Sequence, residues 1–510
     1  MIDLIVEELI YFAETHLELK DLDAFYIKNL IFGELGILTP EKHEISPERK
    51  QEIKELIVPD FFVDNLTNYL LEKGFSEKEA ENKIVKIFGF LTPLPNQVVN
   101  KCNELCKKDS ADALNYLYDL SISNYYFQKT KVDKNLVWKT NRGSKDVEIS
   151  INLSKPEKNN KDIAKLLVKP DKNARKYPEC LLCVENLGYV GRNDHPAREN
   201  IRYIPITLSN RQWYIQYSPY GYFYKHCIIF DKNHDNMHIS SETFQNLCEF
   251  VDQYPSFFIG ANADLPIVGG SILNHSHYQG GKHILPVMEQ GVKKEYSMKG
   301  YKETKLYLLD WYNTCLLLEG TNKEEIVSAA SKILSKWRNY SDSENEIIAS
   351  DENGEHNTIT SAIKKVENKY SLYLILRNNR CNEQYPDGIF HAHPEHHVIK
   401  KEGIGIIEAM GLFILPARLI RQFKTIKLGI DEGLSTEEIL KKSADLKDFC
   451  KIIDFVRNSN DVENSIRTYI EDTCIDILKN TAVFKDDEKG MHGVDKFIEG
   501  VNLWIITDQD

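Results

Sequence analysis

The stretch Asn274-His275-Ser276-His277-Tyr278-Gln279-Gly280-Gly281 puts polar side chains suited to phosphate chemistry at every second position. In an extended strand alternate residues share one face, so His275, His277 and Gln279 are expected to project together. Two imidazoles and a carboxamide make a poor core and a good phosphoryl clasp. One imidazole attacks, the amide donates to an oxygen, and the other imidazole anchors. Gly280-Gly281-Lys282 adds open backbone and a cation, and Ile267-Val268-Gly269-Gly270-Ser271 offers a second place where backbone can approach a ligand. The third polar position narrows the chemistry. A histidine there could exchange a proton for hydrolysis, whereas Gln279 can only donate and accept hydrogen bonds. That favours transfer to a leaving group that departs without protonation, such as a phosphate ester with a second pKa of about 6.

Outward from this stretch the chain divides by periodicity. Residues 1 to about 130 read as helices, with apolar residues at three- and four-residue spacings through Leu4–Leu19, Ala24–Leu38 and Ile84–Leu91. Thr92-Pro93-Leu94-Pro95 interrupts them, since proline cannot continue a helix. Val147–Leu153 alternates as a half-buried strand does, and strand-like runs follow at Tyr203–Leu208, Trp213–Tyr217, Cys227–Phe230 and His283–Val287. A helix from Ser240 to Phe250, capped by Ser240 or Ser241, separates them. A second strand-rich block spans about 305–400, with Lys305–Leu309, Asn357–Ile363 and Tyr370–Leu376. Helices return at Ile404–Phe423, Ser435–Ser443, Leu446–Ser459 and Ser465–Asn480. The polar run from Ser341 to Asn357 reads as a surface loop. The expected class is α+β, with mostly antiparallel strands between helical ends. His391-Ala392-His393 in the second block echoes His275-x-His277 in the first and suggests a duplicated unit.

A chain of 510 residues can bury a large core and divide into more than one unit. A formal net charge of -13 argues against general nucleic-acid binding, which needs an excess of Lys and Arg. The acidic, amphipathic start lacks the basic and apolar regions of a signal peptide, and no stretch approaches the roughly 20 apolar residues of a membrane span. The expectation is a cytoplasmic protein with neither nucleic acid nor membrane as partner. Its ten cysteines then read as buried thiols rather than disulfides.

Cys180-x-x-Cys183 is the exception, with the spacing of a zinc-ligand pair that two histidines often complete. His226, His234, His238 and His275 are the downstream candidates, and two buried thiols remain the alternative. His391-Ala392-His393-Pro394-Glu395-His396-His397 packs four histidines into one short segment, either a metal or phosphate site or a solvated loop, and Pro394 stops a regular strand there. Arg192, Arg198, Arg202, Lys155 and Lys158 are basic candidates, though most such side chains are merely solvated.

Three segments together resemble the galactose-1-phosphate uridylyltransferases of the histidine-triad superfamily, and within them the class II branch. They are Glu185-Asn186-x-Gly188-Tyr189-x-Gly191-Arg192 with His195-Pro196-Ala197-Arg198; Asn262 through Gly281; and Asp387 through His397 running into Leu415-Pro416-Ala417-Arg418. The resemblance implies two histidine-triad-like halves between helical ends, divided at about 1–140, 141–300, 301–430 and 431–510. It implies transfer of UMP from UDP-glucose to galactose 1-phosphate, giving UDP-galactose and glucose 1-phosphate, by a ping-pong route through a uridylyl-histidine. By resemblance, His277 is the nucleophile and Gln279 contacts the transferred phosphoryl group. Zinc would take Cys180, Cys183, His234 and His275, and a second metal would include His391 and His393. Substrate contacts would come from Asn262, Gly270, Ser271 and Gly280, with Lys401 and Glu408 matching a hexose-binding lysine and glutamate. The family often forms homodimers. Ser276 and Tyr278 occupy variable places of the motif and leave its three functional positions intact. Two rival readings use the same residues: a nucleotide hydrolase or dinucleotide phosphorylase, against which Gln279 counts, and a non-catalytic zinc-dependent protein.

Overall fold

A computed structural model describes residues 2–140, 143, 145–153, 177–270, 272–352 and 354–507, without the side chains of 503–507. Lys155, Lys158 and Ser271 lie outside the described residues. The chain forms two compact units. One takes in Met1–Lys134, Lys158–Gly221 and Lys225–His234; the other takes in Asn135–Glu157, Tyr222–Tyr224 and Asp235–Asp510.

In chain order the strands are Leu136–Lys139 (β1), Glu148–Asn152 (β2), Ile204–Leu208 (β3), Arg211–Tyr217 (β4), Cys227–Asp231 (β5), Phe258–Ala261 (β6), His277–Gly281 (β7), Val292–Tyr296 (β8), Thr304–Leu309 (β9), Cys315–Gly320 (β10), Ser350–Asp351 (β11), Gly354–Glu355 (β12), Asn357–Val366 (β13), Lys369–Asn378 (β14) and Leu412–Pro416 (β15). The class is α+β, as the periodicity predicts.

The first unit begins with helices. Ile2–His16 buries Ile5, Leu9, Phe12 and Ala13, the three- and four-residue stripe visible in the sequence. Glu77–Leu91 starts at a capping box: Ser76 accepts from the Glu79 amide and Glu79 accepts from the Ser76 amide. It stops before Thr92-Pro93, and Pro95 opens the next helix, Pro95–Cys106, where its missing N–H costs nothing. Arg202 locks this break. Buried itself, it donates to the carbonyls of Pro93, Thr92, Glu199 and Ile201 at 2.6, 3.0, 3.0 and 2.7 Å. Arg202, one of the basic candidates, is thus a backbone staple. β3, β4 and β5 follow as an antiparallel meander.

In the second unit seven strands run in the order β7-β6-β13-β14-β10-β9-β8, every neighbouring pair antiparallel. Ser241–Gln253 and Lys323–Arg338 are helices that pack against this sheet. A smaller sheet joins β1 to β2 antiparallel and β2 to β15 parallel.

Four expectations change. His283–Val287 is not a strand: Pro286 opens a 3-10 turn, Pro286–Glu289, and its missing N–H cannot serve a ladder. Ile404–Phe423 is not one helix. Gly411, at φ 101°, turns the chain out of the short helix Ile406–Ala409 into β15, and a new helix, Arg418–Asp431, begins after Pro416. Lys323–Arg338 is a helix inside the block read as strands, with Ile326, Ala330, Ile333, Leu334 and Trp337 buried along one stripe. His391-Ala392-His393 lies in irregular chain ahead of the turn Pro394–His396, so the echo of the first His-x-His is not a matching strand.

Candidate active site and metal centre

β7 pairs with β6 in the register Phe258↔Gly281, Ile259↔Gly280 and Gly260↔Gln279. The pleat sends Tyr278 to one face, where its hydroxyl accepts from Asn246 of the helix Ser241–Gln253 at 3.0 Å. His277 and Gln279 take the opposite face. His275 does not share it, because β7 begins only at His277. Upstream, the Ser276 amide donates to the Asp235 carbonyl at 2.7 Å and the His277 amide contacts the Met237 sulfur at 3.2 Å. These tertiary contacts bend the chain before the strand.

His277 is buried, and its Nδ1 lies 2.8 Å from the His275 carbonyl oxygen. A carbonyl only accepts, so Nδ1 carries the hydrogen and the neutral ring keeps its lone pair on Nε2. Burial pushes the ring pKa down to about 4; the His275 carbonyl opposes that shift and the His275 ring adds to it. The ring is therefore neutral at neutral pH, with an unprotonated nitrogen able to act as a nucleophile.

The cysteine pair is assembled as metal-ligand spacing predicts. Cys180 Sγ and Cys183 Sγ are 3.6 Å apart, and His234 Nδ1 lies 3.1 Å from Cys183 Sγ. Within the first unit a ligand atom from each of Cys180, Cys183 and His234 lies within 4.8 Å of the other two. Two thiols and an imidazole are three of the four donors of a tetrahedral zinc site. His238 is exposed and stands 3.5 Å from Asp264.

The remaining candidates converge on a stretch of backbone. His391 is buried, and its Nε2 accepts from the Ile404 amide at 3.1 Å. Asn262 Oδ1 accepts from the Ile406 amide at 2.8 Å, and Arg377 Nη2 donates to the Ile404 carbonyl at 2.8 Å. Three buried side chains thus satisfy the backbone of 404–406. Arg377 was not singled out in the sequence, and its only signal was an arginine ending an apolar strand; burial lowers its pKa to about 10, so it stays charged at neutral pH.

Lys401 and Glu408, the expected hexose-binding residues, have a geometry the sequence did not show. Lys401 is exposed, while its neighbour Lys400 is buried and donates to Glu408 at 2.8 Å and to the Ile414 carbonyl at 2.9 Å. Gly270 lies against Asn262, whose amide nitrogen would be 2.8 Å from any added Cβ.

At the second expected metal position, His391 Nε2 accepts from the Ile404 amide at 3.1 Å, and His393 Nε2 donates to the Ile389 carbonyl at 3.0 Å, which leaves the lone pair of His393 on Nδ1. Among the described residues no group of three metal-ligating side chains includes either ring.

The chain matches the family profile "Galactose-1-phosphate uridyl transferase, N-terminal domain" over residues 48–236 and its C-terminal counterpart over residues 249–426. It is 38% identical to the galactose-1-phosphate uridylyltransferase of Clostridium acetobutylicum over 507 residues, covering 98% of this chain and 99% of that one. It is 38% identical to the protein of that name from Caldanaerobacter subterraneus subsp. tengcongensis, covering 97% of each. The corresponding protein of Fusobacterium nucleatum is 37% identical, covering 98% of each. A solved structure, yeast Ap4A phosphorylase Apa2, superposes with a TM-score of 0.30 at 9% identity over 58% of this chain and 87% of that one, too low to carry an argument.

Proposed function

The chain belongs to the galactose-1-phosphate uridylyltransferase family, and from that membership we propose that it moves the uridylyl group of UDP-glucose onto galactose 1-phosphate through a covalent bond to His277. The observation that carries the reading is the His277 ring, whose one proton is held by the His275 carbonyl at 2.8 Å. Nε2 attacks the α-phosphorus, forming a P–N bond as the bond to the bridging oxygen breaks. Glucose 1-phosphate leaves with that electron pair and needs no proton, since its second pKa is about 6. A phosphate oxygen of galactose 1-phosphate then attacks the same phosphorus, the pair returns to Nε2, and UDP-galactose departs. Gln279 donates to a non-bridging oxygen in both halves, and backbone N–H groups near Gly270, Ser271 and Gly280 add to that stabilisation. Asn262, Lys401 and Glu408 complete the proposed substrate-binding set, with Glu408 held by Lys400.

Zinc held by Cys180, Cys183, His234 and His275 would serve as a structural tether for the chain entering β7. No step passes through it. The proposed organisation keeps two triad-like halves between helical ends. No helix among the described residues is long and apolar enough to cross a membrane. We also propose a cytoplasmic homodimer; a sedimenting mass of one chain would remove the dimer.

The test is a search for the intermediate. After incubation with UDP-glucose alone, intact-mass analysis should find a UMP adduct that maps to the peptide containing His277. His277→Gly should carry no adduct and lose turnover by at least about a thousandfold, with added imidazole restoring the first half-reaction. Release of UMP with no retained adduct would favour a hydrolase, and ordinary turnover by His277→Gly would sink the assignment.

A further inference from the structure

The segment Glu185-Asn186-x-Gly188-Tyr189-x-Gly191-Arg192 with His195 takes no part in the proposed chemistry, yet Asn186 is 0% exposed. Its carboxamide makes three hydrogen bonds. Nδ2 donates to the carbonyls of Cys180 at 2.9 Å and Cys183 at 2.8 Å, and Oδ1 lies 2.6 Å from His195 Nε2. The two carbonyls decide which end of the amide is nitrogen, since an oxygen there would face two oxygens. Oδ1 then requires a hydrogen on His195 Nε2. One side chain therefore spans both ends of the Cys-x-x-Cys turn, and a second side chain fixes the orientation of the first.

The rest of the segment frames the same turn. The Tyr189 ring meets His195 edge-on at 5.3 Å. Arg192 Nη1 donates to the Tyr177 and Pro178 carbonyls at 3.0 and 3.3 Å, on the chain leading into Cys180. Gly191, at φ 89°, lets the frame close: a Cβ there would sit 2.7 Å from the Ala197 amide nitrogen.

We propose that Asn186 is the positioning residue that presets the Cys180–Cys183 turn for a divalent metal, with His195 orienting its amide and Arg192 holding the incoming chain. This inference rests on the proposed zinc site. Groups outside the ligand set that fix its geometry typically contribute about 10–100-fold in metal affinity.

The experiment measures zinc affinity of the full chain by competition with a chromogenic chelator, for the parent, Asn186→Leu, His195→Leu and His195→Gln. Asn186→Leu should weaken zinc binding by about 10–100-fold. His195→Leu should weaken it in the same direction, and His195→Gln, whose amide can still donate to Oδ1, should recover much of the loss. Parent-like affinity in Asn186→Leu overturns the proposal. If that variant does not fold, equal affinities of His195→Leu and the parent overturn it. A parent that takes up no zinc overturns the zinc site and this inference together, whereas a parent that binds zinc alongside unaffected variants overturns this inference alone.

Discussion

His277 presents its lone pair on Nε2 because the carbonyl two residues upstream accepts the hydrogen bond from Nδ1–H. In the proposed reaction Gln279, two residues downstream, works through its N–H donors. Gln279→Glu keeps the length and shape, removes both donors and sets a negative charge beside the phosphates. Its kcat is expected to fall about 10²–10³-fold with the fold retained, and an unchanged kcat in a steady-state assay would remove Gln279 from the reaction. The shared strand face of these two residues was legible because a period of two is written into the chain. The placement of His275 was not, since the bend before β7 depends on Asp235 and Met237, about forty residues away. Nor could adjacent lysines reveal that Lys400 is buried against Glu408 while Lys401 stays exposed.

At the scale of elements, β6 is held to close tolerance. An added Cβ on Gly260, which pairs with Gln279, would run into the Ile406 side chain and come within 2.6 Å of the Ser361 carbonyl. Gly260→Ala should therefore cost about 1–3 kcal/mol by overpacking, read as a lower urea midpoint, and should reduce kcat by shifting β6 against β7. Full activity at parent stability would contradict that coupling. Elements with a clean period or a strong cap were readable, such as Ile2–His16 and the helix ending at Leu91. β15 was not, because Leu-Phe-Ile-Leu is as apolar as a helix core and only its parallel pairing with β2 makes it a strand.

For the molecule as a whole, acid is the relevant stress. His195, His277 and His391 are buried, and burial lowers their pKa values to about 4, 4 and 3. In the unfolded chain each titrates near 6.5. A depressed histidine pKa means that the unfolded state takes up protons first, so stability is full above about 6.5 and is lost as pH falls toward 4. The urea midpoint should therefore drop steadily between pH 7 and pH 5, and a flat midpoint across that range would show these rings are not neutral in the folded state. The small sheet carries a consequence of another kind. Glu148 of β2 waits for Leu412 of β15, a partner 264 residues later in the chain. At about 5–20 residues per second on the ribosome, β2 spends roughly 13–50 seconds with one edge unpaired. Every residue of β2 ends up buried, so for that interval of synthesis a strand destined for the interior is open to neighbouring nascent chains.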